Sequence, residues 1–208
     1  MAGRRQVHDP LVKLSKSLSY LLRHGAEKEG FKFQPGGFLY VDEILKHKQF
    51  CSASLEDIKH VVESNDKKRF ALETEAATGR LKIRANQGHS LEVSDLDLKP
   101  VTEASDYPVV IHGTNYTAYR SIATQGLKTM GRNHIHFAAG EPGENGVISG
   151  MRGTCTVMIY LNLSKALQDG LKFFLSANGV ILSPGNEDGV IQTIYFDKVI
   201  DRKTGSLI

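Results

Sequence analysis

Cysteine is scarce in this sequence: of 208 residues only Cys51 and Cys155 are cysteines, far apart and in no CxxC or Cys/His ligand spacing. That argues against a disulfide framework and a zinc site, and it fits a reducing cytosolic or nuclear setting. Long apolar runs are missing too. Nothing approaches the roughly 20 residues that span a bilayer, and the opening MAGRRQVHDP has no apolar signal core, so neither an inserted nor a secreted protein is expected. The GxGxxG fingerprint, the P-loop and HExxH are absent, which disfavours a Rossmann dinucleotide fold, a nucleotide hydrolase and a zincin. No internal repeat, low-complexity tract, heptad or long exposed apolar stripe occurs, and a monomer is the expectation.

The composition, 40% hydrophobic, 24% charged and 8% aromatic, is that of a globular chain able to bury a core. The formal charge of +3 is unevenly spread. Residues 1–90 hold 16 Lys and Arg against 11 Asp and Glu, a balance of +5, whereas residues 91–208 hold 10 against 12, a balance of −2. A basic front half suits an anionic polymer, and equally suits a solvated surface of mixed charge.

The two halves also differ in pattern. Asp9 before Pro10 is an N-cap followed by proline at the first helical position, and Leu11, Leu14, Leu18, Leu21 and Leu22 then recur at helical spacing up to Gly25. After Gly36-Gly37 come a short apolar stretch and a helix over about 42–48; Ser54 with Asp57 caps a third, carrying Leu55, Ile58, Val61 and Val62 on one face. Residues 69–73 (RFALE) and 80–85 (RLKIRA) alternate around Thr78-Gly79 as a β-hairpin. Three helices and a hairpin make a winged-helix-like lobe over 1–92. The polar, acidic stretch 93–108, with Pro100 and Pro108, reads as a linker. Residues 109–208 read as strand-rich α+β, with strands at 109–112, 134–138, 156–162, 173–175, 179–183 and 191–196 and one helix at about 116–125 closed by Gly126.

Several polar clusters stand out. Arg23-His24 ends the first helix, where a plain C-terminal pair of cations would also sit. In KIRANQGHS, Arg84 closes a strand and is followed by Asn86, Gln87, Gly88, His89 and Ser90. An arginine fork beside a glycine that admits close backbone approach suits an anion such as phosphate; an exposed loop after the hairpin is the bland alternative. His112-Gly113-Thr114 ends a strand, and Arg132-Asn133-His134-Ile135-His136 opens another, placing His134 and His136 on one face. No carboxylate is spaced to complete a zinc site with them, and no metal is expected. In Ser176-Ala177-Asn178-Gly179-Val180 the Asn-Gly pair reads as a tight turn, and Lys67-Lys68-Arg69 reads as a solvated face.

The order LSKSLSYLLRHG, IRANQGHS, VIHGT, GRNHIHF, SANGVIL resembles the tRNA 2′-phosphotransferase family, over most of the chain from about Leu11 to Phe196. The resemblance implies an N-terminal winged-helix-like RNA lobe and a C-terminal NAD⁺-binding lobe of ADP-ribosyltransferase type. It places a catalytic Arg-His-Arg-Arg set on Arg23, His24, Arg84 and Arg132. RNA phosphate contacts would add Gln87, His89 and Ser90; NAD⁺ contacts would fall on His112, Gly113, Thr114, His134, His136, Asn178, Gly179 and Val180. Val180 stands where many protein ADP-ribosyltransferases carry glutamate, and a phosphate nucleophile already bears the charge that such a glutamate helps to generate. The implied reaction moves an internal RNA 2′-phosphate to NAD⁺ in two steps. Phosphate first displaces nicotinamide, giving 2′-phospho-ADP-ribosylated RNA; the ribose 2″-hydroxyl then attacks phosphorus, releasing 2′-hydroxyl RNA and ADP-ribose 1″,2″-cyclic phosphate. Spliced tRNA is the implied RNA. Two other functions are open: a transferase that stops after the first step on nucleic-acid phosphate ends, and a non-catalytic winged-helix RNA-binding protein.

Overall fold

The computed structural model describes residues 9–144, 147, 151 and 153–208; of the opening MAGRRQVHDP, residues 1–8 lie outside it. Two compact units divide between Leu96 and Asp97, and together they make a mixed α+β chain with a large antiparallel sheet. Among the described residues no helix is long and apolar enough to cross a membrane.

In the first unit, Asp9 caps α1 (Pro10–Tyr20) by accepting a hydrogen bond from the Leu11 amide. The helix does not stop at Gly25. It widens into a π-helical turn, Leu21–Gly25, and turns continue to Gly30, whose φ of +80° is the left-handed end that Gly25 was expected to supply. Gly25 has a different use: a Cβ there would meet the Tyr20 ring at 2.6 Å. The diglycine turn leads into β1 (Leu39–Tyr40) and α2 (Val41–Lys46), the latter shorter than expected. In α3 (Leu55–Glu63) the Ser54 side chain accepts from the Asp57 amide and the Asp57 carboxylate accepts from the Ser54 amide. β2 (Phe70–Thr74) and β3 (Leu81–Ala85) form the hairpin, with β3 also paired to β1 in the order β1-β3-β2. Leu18, Leu21, Leu22, Ile44, Phe50, Ile58 and Ile83 fill the core beneath.

The stretch 93–108 is not a free linker. The Gly36 amide donates to the Ser94 carbonyl at 2.9 Å, and Val93 and Leu96 crowd Gly37, which fastens its start to the first unit. Its continuation opens the second unit as β4 (Leu98–Pro100), paired with β9 (Phe174–Ser176), and Val101 is buried. The apolar residues at 93, 96, 98 and 101 drive this, and Pro100 is tolerated because β4 is an edge.

Among the described residues the second unit is built on a seven-stranded sheet, order β12-β8-β5-β7-β10-β9-β4, in which every pairing is antiparallel. Its strands besides β4 and β9 are β5 (Ile111–Thr114), β7 (Ile135–Ala138), β8 (Val157–Leu161), β10 (Val180–Ser183) and β12 (Phe196–Asp201). A small ribbon pairs β6 (Leu127–Lys128) with β11 (Val190–Ile191). Asn115 caps α4 (Tyr116–Gln125), which ends at Gly126 with φ +77°; Asn162 caps the short α5 (Leu163–Gln168). Both faces of the sheet are covered: Val157, Ile159 and Leu161 of β8 pack into one cluster with Phe137, while Met158 and Tyr160 join Ile111 in another. The stretch 191–196, expected as one strand, splits into the end of β11, a 3₁₀ turn (Thr193–Tyr195) and the start of β12. The Gln192 carbonyl accepts from the Tyr195 amide, bending the chain where β-branched residues suggested extension.

Candidate active site

In the first unit, two motifs separated by most of its length come together. The wide π turn presents Arg23 and His24 in succession, a geometry often found where function demands an irregular helix. The Ser90 amide donates to the Arg23 carbonyl at 3.0 Å, and His24 Nδ1 lies 2.8 Å from Ser90 Oγ. The Ser90 hydroxyl also reaches the Arg23 carbonyl at 3.5 Å. If it donates there, its lone pair accepts the proton of His24 Nδ1, and the tautomer with its lone pair on Nε2 follows.

The loop after β3 is shaped around Arg23. Gly88 adopts φ +91°, and a Cβ on it would touch the Arg23 guanidinium at about 3.4–3.5 Å, so this glycine lets backbone lie against the side chain. Asn86, buried, anchors the loop by donating from Nδ2 to the Lys68 carbonyl at 2.7 Å while its amide donates to Arg69. His89 is also buried, its ring edge-on to Phe33, whereas Gln87 is partly exposed and Ser90 exposed.

Strand alternation places Arg84. Ile83 and Ala85 of β3 enter the core, and Arg84 faces the other way with its guanidinium 4.9 Å from the centre of the Phe38 ring, which Lys82 also approaches at 4.6 Å. Phe38 was not singled out from the sequence; its position straight after Gly36-Gly37, beside a strand carrying two cations two residues apart, was the available signal. A cation held on a ring face keeps its charge and its edge N–H groups directed outward.

In the second unit His112, Gly113 and Thr114 occupy β5, in register with Ile159, Met158 and Val157 of β8. His112 Nδ1 donates to the His136 carbonyl at 2.9 Å. A carbonyl can only accept, so the neutral ring has its lone pair on Nε2. Burial lowers the His112 pKa from its ordinary value and that hydrogen bond only partly offsets the shift, which keeps the ring neutral. Its ring meets Phe137 edge-on at 5.8 Å. Gly113 is not an open cradle, because Met151 fills the space where its side chain would be.

His134 and His136 lie on the face of the β7 segment opposite Ile135 and Phe137, which are buried. His134 packs on Phe174, and burial lowers its pKa. Arg132 is exposed on the loop before β7, and among the described residues no hydrogen bond or ion pair engages its guanidinium. Asn178, Gly179 and Val180 form the turn joining β9 to β10, with Gly179 at φ +75°. The organiser of that turn is Ser176, a buried hydroxyl absent from the expected site: its Oγ accepts from the Val180 amide at 3.0 Å and lies 2.9 Å from both the Val180 carbonyl and Asn178 Oδ1. Among the described residues no group of three or more His, Cys, Asp or Glu side chains could hold a metal.

Arginine, imidazole, hydroxyl and amide groups thus gather in the first unit, a donor set suited to phosphate. The second unit offers the imidazoles of His112 and His134, whose pKa values burial lowers, and a glycine turn, groups suited to the hydroxyls of a polar ligand. Comparison with known proteins gives these features a context. The chain is 48% identical over 198 residues to "tRNA 2′-phosphotransferase 1" of Danio rerio, covering 94% of this chain and 88% of that one. It is 46% identical over 200 residues to the protein of the same name in Homo sapiens, covering 96% and 79%, and 40% identical over 191 residues to "tRNA 2′-phosphotransferase" of Saccharomyces cerevisiae, covering 88% and 83%. Residues 9–185 match the family described as RNA 2′-phosphotransferase, Tpt1 / KptA family, and the chain belongs to that family.

Proposed function

We propose that this enzyme is an NAD⁺-dependent tRNA 2′-phosphotransferase whose first unit is a winged-helix-like RNA lobe and whose second is an ADP-ribosyltransferase-like NAD⁺ lobe. The observation that carries the reading is the His24–Ser90 hydrogen bond, which ties the two phosphate-type motifs, RHG and ANQGHS, into one donor cluster. The second unit's side chains fit NAD⁺ chemically: His112 offers a neutral acceptor nitrogen to a ribose hydroxyl, and Thr114 and the 178–180 turn add polar groups nearby in the sheet.

Arg23 and Arg84 bind and orient the RNA 2′-phosphate, with Gln87, His89 and Ser90 supporting it; their charge weighs most where water is excluded. Phosphate oxygen bonds to the anomeric carbon as the carbon–nitrogen bond to nicotinamide breaks, its electron pair leaving with the ring. The ribose 2″-oxygen then bonds to phosphorus, the bond from phosphorus to the RNA 2′-oxygen breaks, and the hydroxyl proton passes by way of His24 to that oxygen. Arg132 stabilises charge on the phosphoryl group in transit, and His134, His136, Asn178, Gly179 and Val180 line the NAD⁺ side. Arginines carry the positive charge that Mg²⁺ supplies in many phosphoryl transfers.

The test is an RNA with one radiolabelled internal 2′-phosphate, incubated with and without NAD⁺. Label should move to ADP-ribose 1″,2″-cyclic phosphate only with NAD⁺, and Arg132→Ala should trap it on ADP-ribosylated RNA. Label left on unmodified RNA in both samples rejects the reading in favour of a binding module. Wild-type arrest at ADP-ribosylated RNA identifies a transferase that stops after the first step.

A further inference from the structure

Along the flank of α1 that faces α3 runs a groove of about 520 Å³ whose walls include Ser15, Lys16 and Ser19 of α1, His60 of α3, and Asn65 and Arg69 beyond it. None of their side chains takes part in the site described above, to which only the Arg69 backbone carbonyl is joined, through Asn86. Among the described residues the only carboxylate in its wall is Asp9, already engaged as the α1 cap. Arg69 is held at its base by Asn65, whose Oδ1 accepts from the Arg69 amide at 3.2 Å and from Nη1 at 3.3 Å; a guanidinium retains further N–H donors beyond that one. Among the described residues the wall holds no Phe, Tyr or Trp and His60 is its one ring; beside the apolar Leu11, Val12 and Val61, its hydroxyls and cations suit a phosphate–ribose backbone.

The groove leads toward Arg23. Ser15, Ser19 and Arg23 follow one another at four-residue intervals on one side of the helix. From Lys16 to Arg23 the helical rise is about 10 Å, a separation that a short stretch of RNA backbone spans.

We infer that this groove is a second RNA seat, in which Lys16 and Arg69 engage backbone phosphates a short way along the strand from the 2′-phosphate, with the Ser15 and Ser19 hydroxyls on neighbouring phosphate or ribose oxygens. The inference rests on the proposed reaction only for its placement relative to the 2′-phosphate. Such a seat grips RNA without reading sequence, and it makes the enzyme favour a 2′-phosphate embedded in a strand over one at a minimal dinucleotide.

The test combines Lys16→Gln with Arg69→Gln and measures binding of a ten-nucleotide RNA with a central 2′-phosphate across a salt series. The slope of log affinity against log salt should flatten by about 1.4, at roughly 0.7 per lost single-strand contact. KM for that RNA should rise at unchanged kcat, while KM for a 2′-phosphorylated dinucleotide holds. If the double variant melts early, Lys16→Gln alone, at an exposed position, should flatten the slope by about 0.7. An unchanged slope overturns the inference, as does an equal rise in KM for the dinucleotide, or a loss of affinity for polyglutamate with RNA binding intact. Failure of the wild type to transfer phosphate would sink the reaction reading, and the salt slopes would still decide the groove.

Discussion

Replacing Ser90 with alanine removes its hydrogen bond to His24 and its longer, 3.5 Å contact with the Arg23 carbonyl, and almost nothing else. Ser90 is exposed and its Oγ sits 2.8 Å from His24 Nδ1, so no cavity forms and the backbone bond from its amide to Arg23 is kept. An intramolecular hydrogen bond is worth about 1 kcal/mol net, within about 0.5 either way. At 1.36 kcal/mol per tenfold, losing the bond that holds the His24 ring and its tautomer should slow the step proposed for His24 by about fivefold, within roughly two- to thirteenfold. Single-turnover release of 2′-phosphate from labelled RNA, with NAD⁺ saturating, reads this directly. Thermal stability should hold, and Ser90→Thr should recover most of the rate because it restores the hydroxyl. A Ser90→Ala rate equal to wild type would show that the bond does not position His24. A fall beyond about a hundredfold would place Ser90 on the reacting atoms themselves, since no single neutral hydrogen bond accounts for so much.

Two further outcomes follow from the second unit. Burial holds the His112 and His134 pKa values below the ordinary one; a depressed folded pKa means stability is fully present above about pH 6.5 and is lost as pH falls from there toward the folded values, because the unfolded chain takes up protons first. The melting temperature should therefore drop between about pH 7.5 and about pH 5.5, and less so in His112→Asn, which keeps a donor for the His136 carbonyl; equal drops in both proteins would refute the assignment. Gly126→Ala should cost at least about 2 kcal/mol in urea denaturation, since the left-handed backbone and the overlap with the Ile191 carbonyl, 2.5 Å from the new Cβ, both count against it. Gly131→Ala, left-handed but with open space around it, should lose only the backbone part, about 1 kcal/mol, and matching losses would show that the contact with Ile191 does not matter.

Local signals survived into the structure where their partners lie within a few residues. The Asp9-Pro10 start, the Ser54/Asp57 cap and the 69–85 hairpin all formed as their residues suggest. Elements defined by distant partners were not legible. β4 exists because Leu98 finds Ser176 across the sheet, and the two-residue ribbon of β6 and β11 is too short to leave a periodic trace. Gly25 misled for a related reason: glycine marks helix ends by its backbone freedom, but here its missing side chain accommodates Tyr20. At the site, residue types were readable and their supports were not. Arg84 was visible beside its strand, but the Phe38 ring beneath it, the Gly88 backbone against Arg23 and the Ser176 hydroxyl inside the glycine turn became apparent only when the chain was folded.

The order of strands in the large sheet bears on how the protein is made. In the first unit the hairpin pairs neighbours in the chain, Phe70 opposite Ala85. In the second, β8 must join β5, with Ile111 opposite Tyr160, and then β12, with Val199 opposite Ile159. Contacts that close long loops form slowly, and domains fold in the order they leave the ribosome. The arginine and histidine cluster of the first unit can therefore assemble while β8 still waits, apolar along both faces, for Phe196–Asp201 to be synthesised. During that interval the nascent chain carries a finished first unit beside a strand whose apolar faces are still uncovered, and the risk of aggregation falls on the second unit.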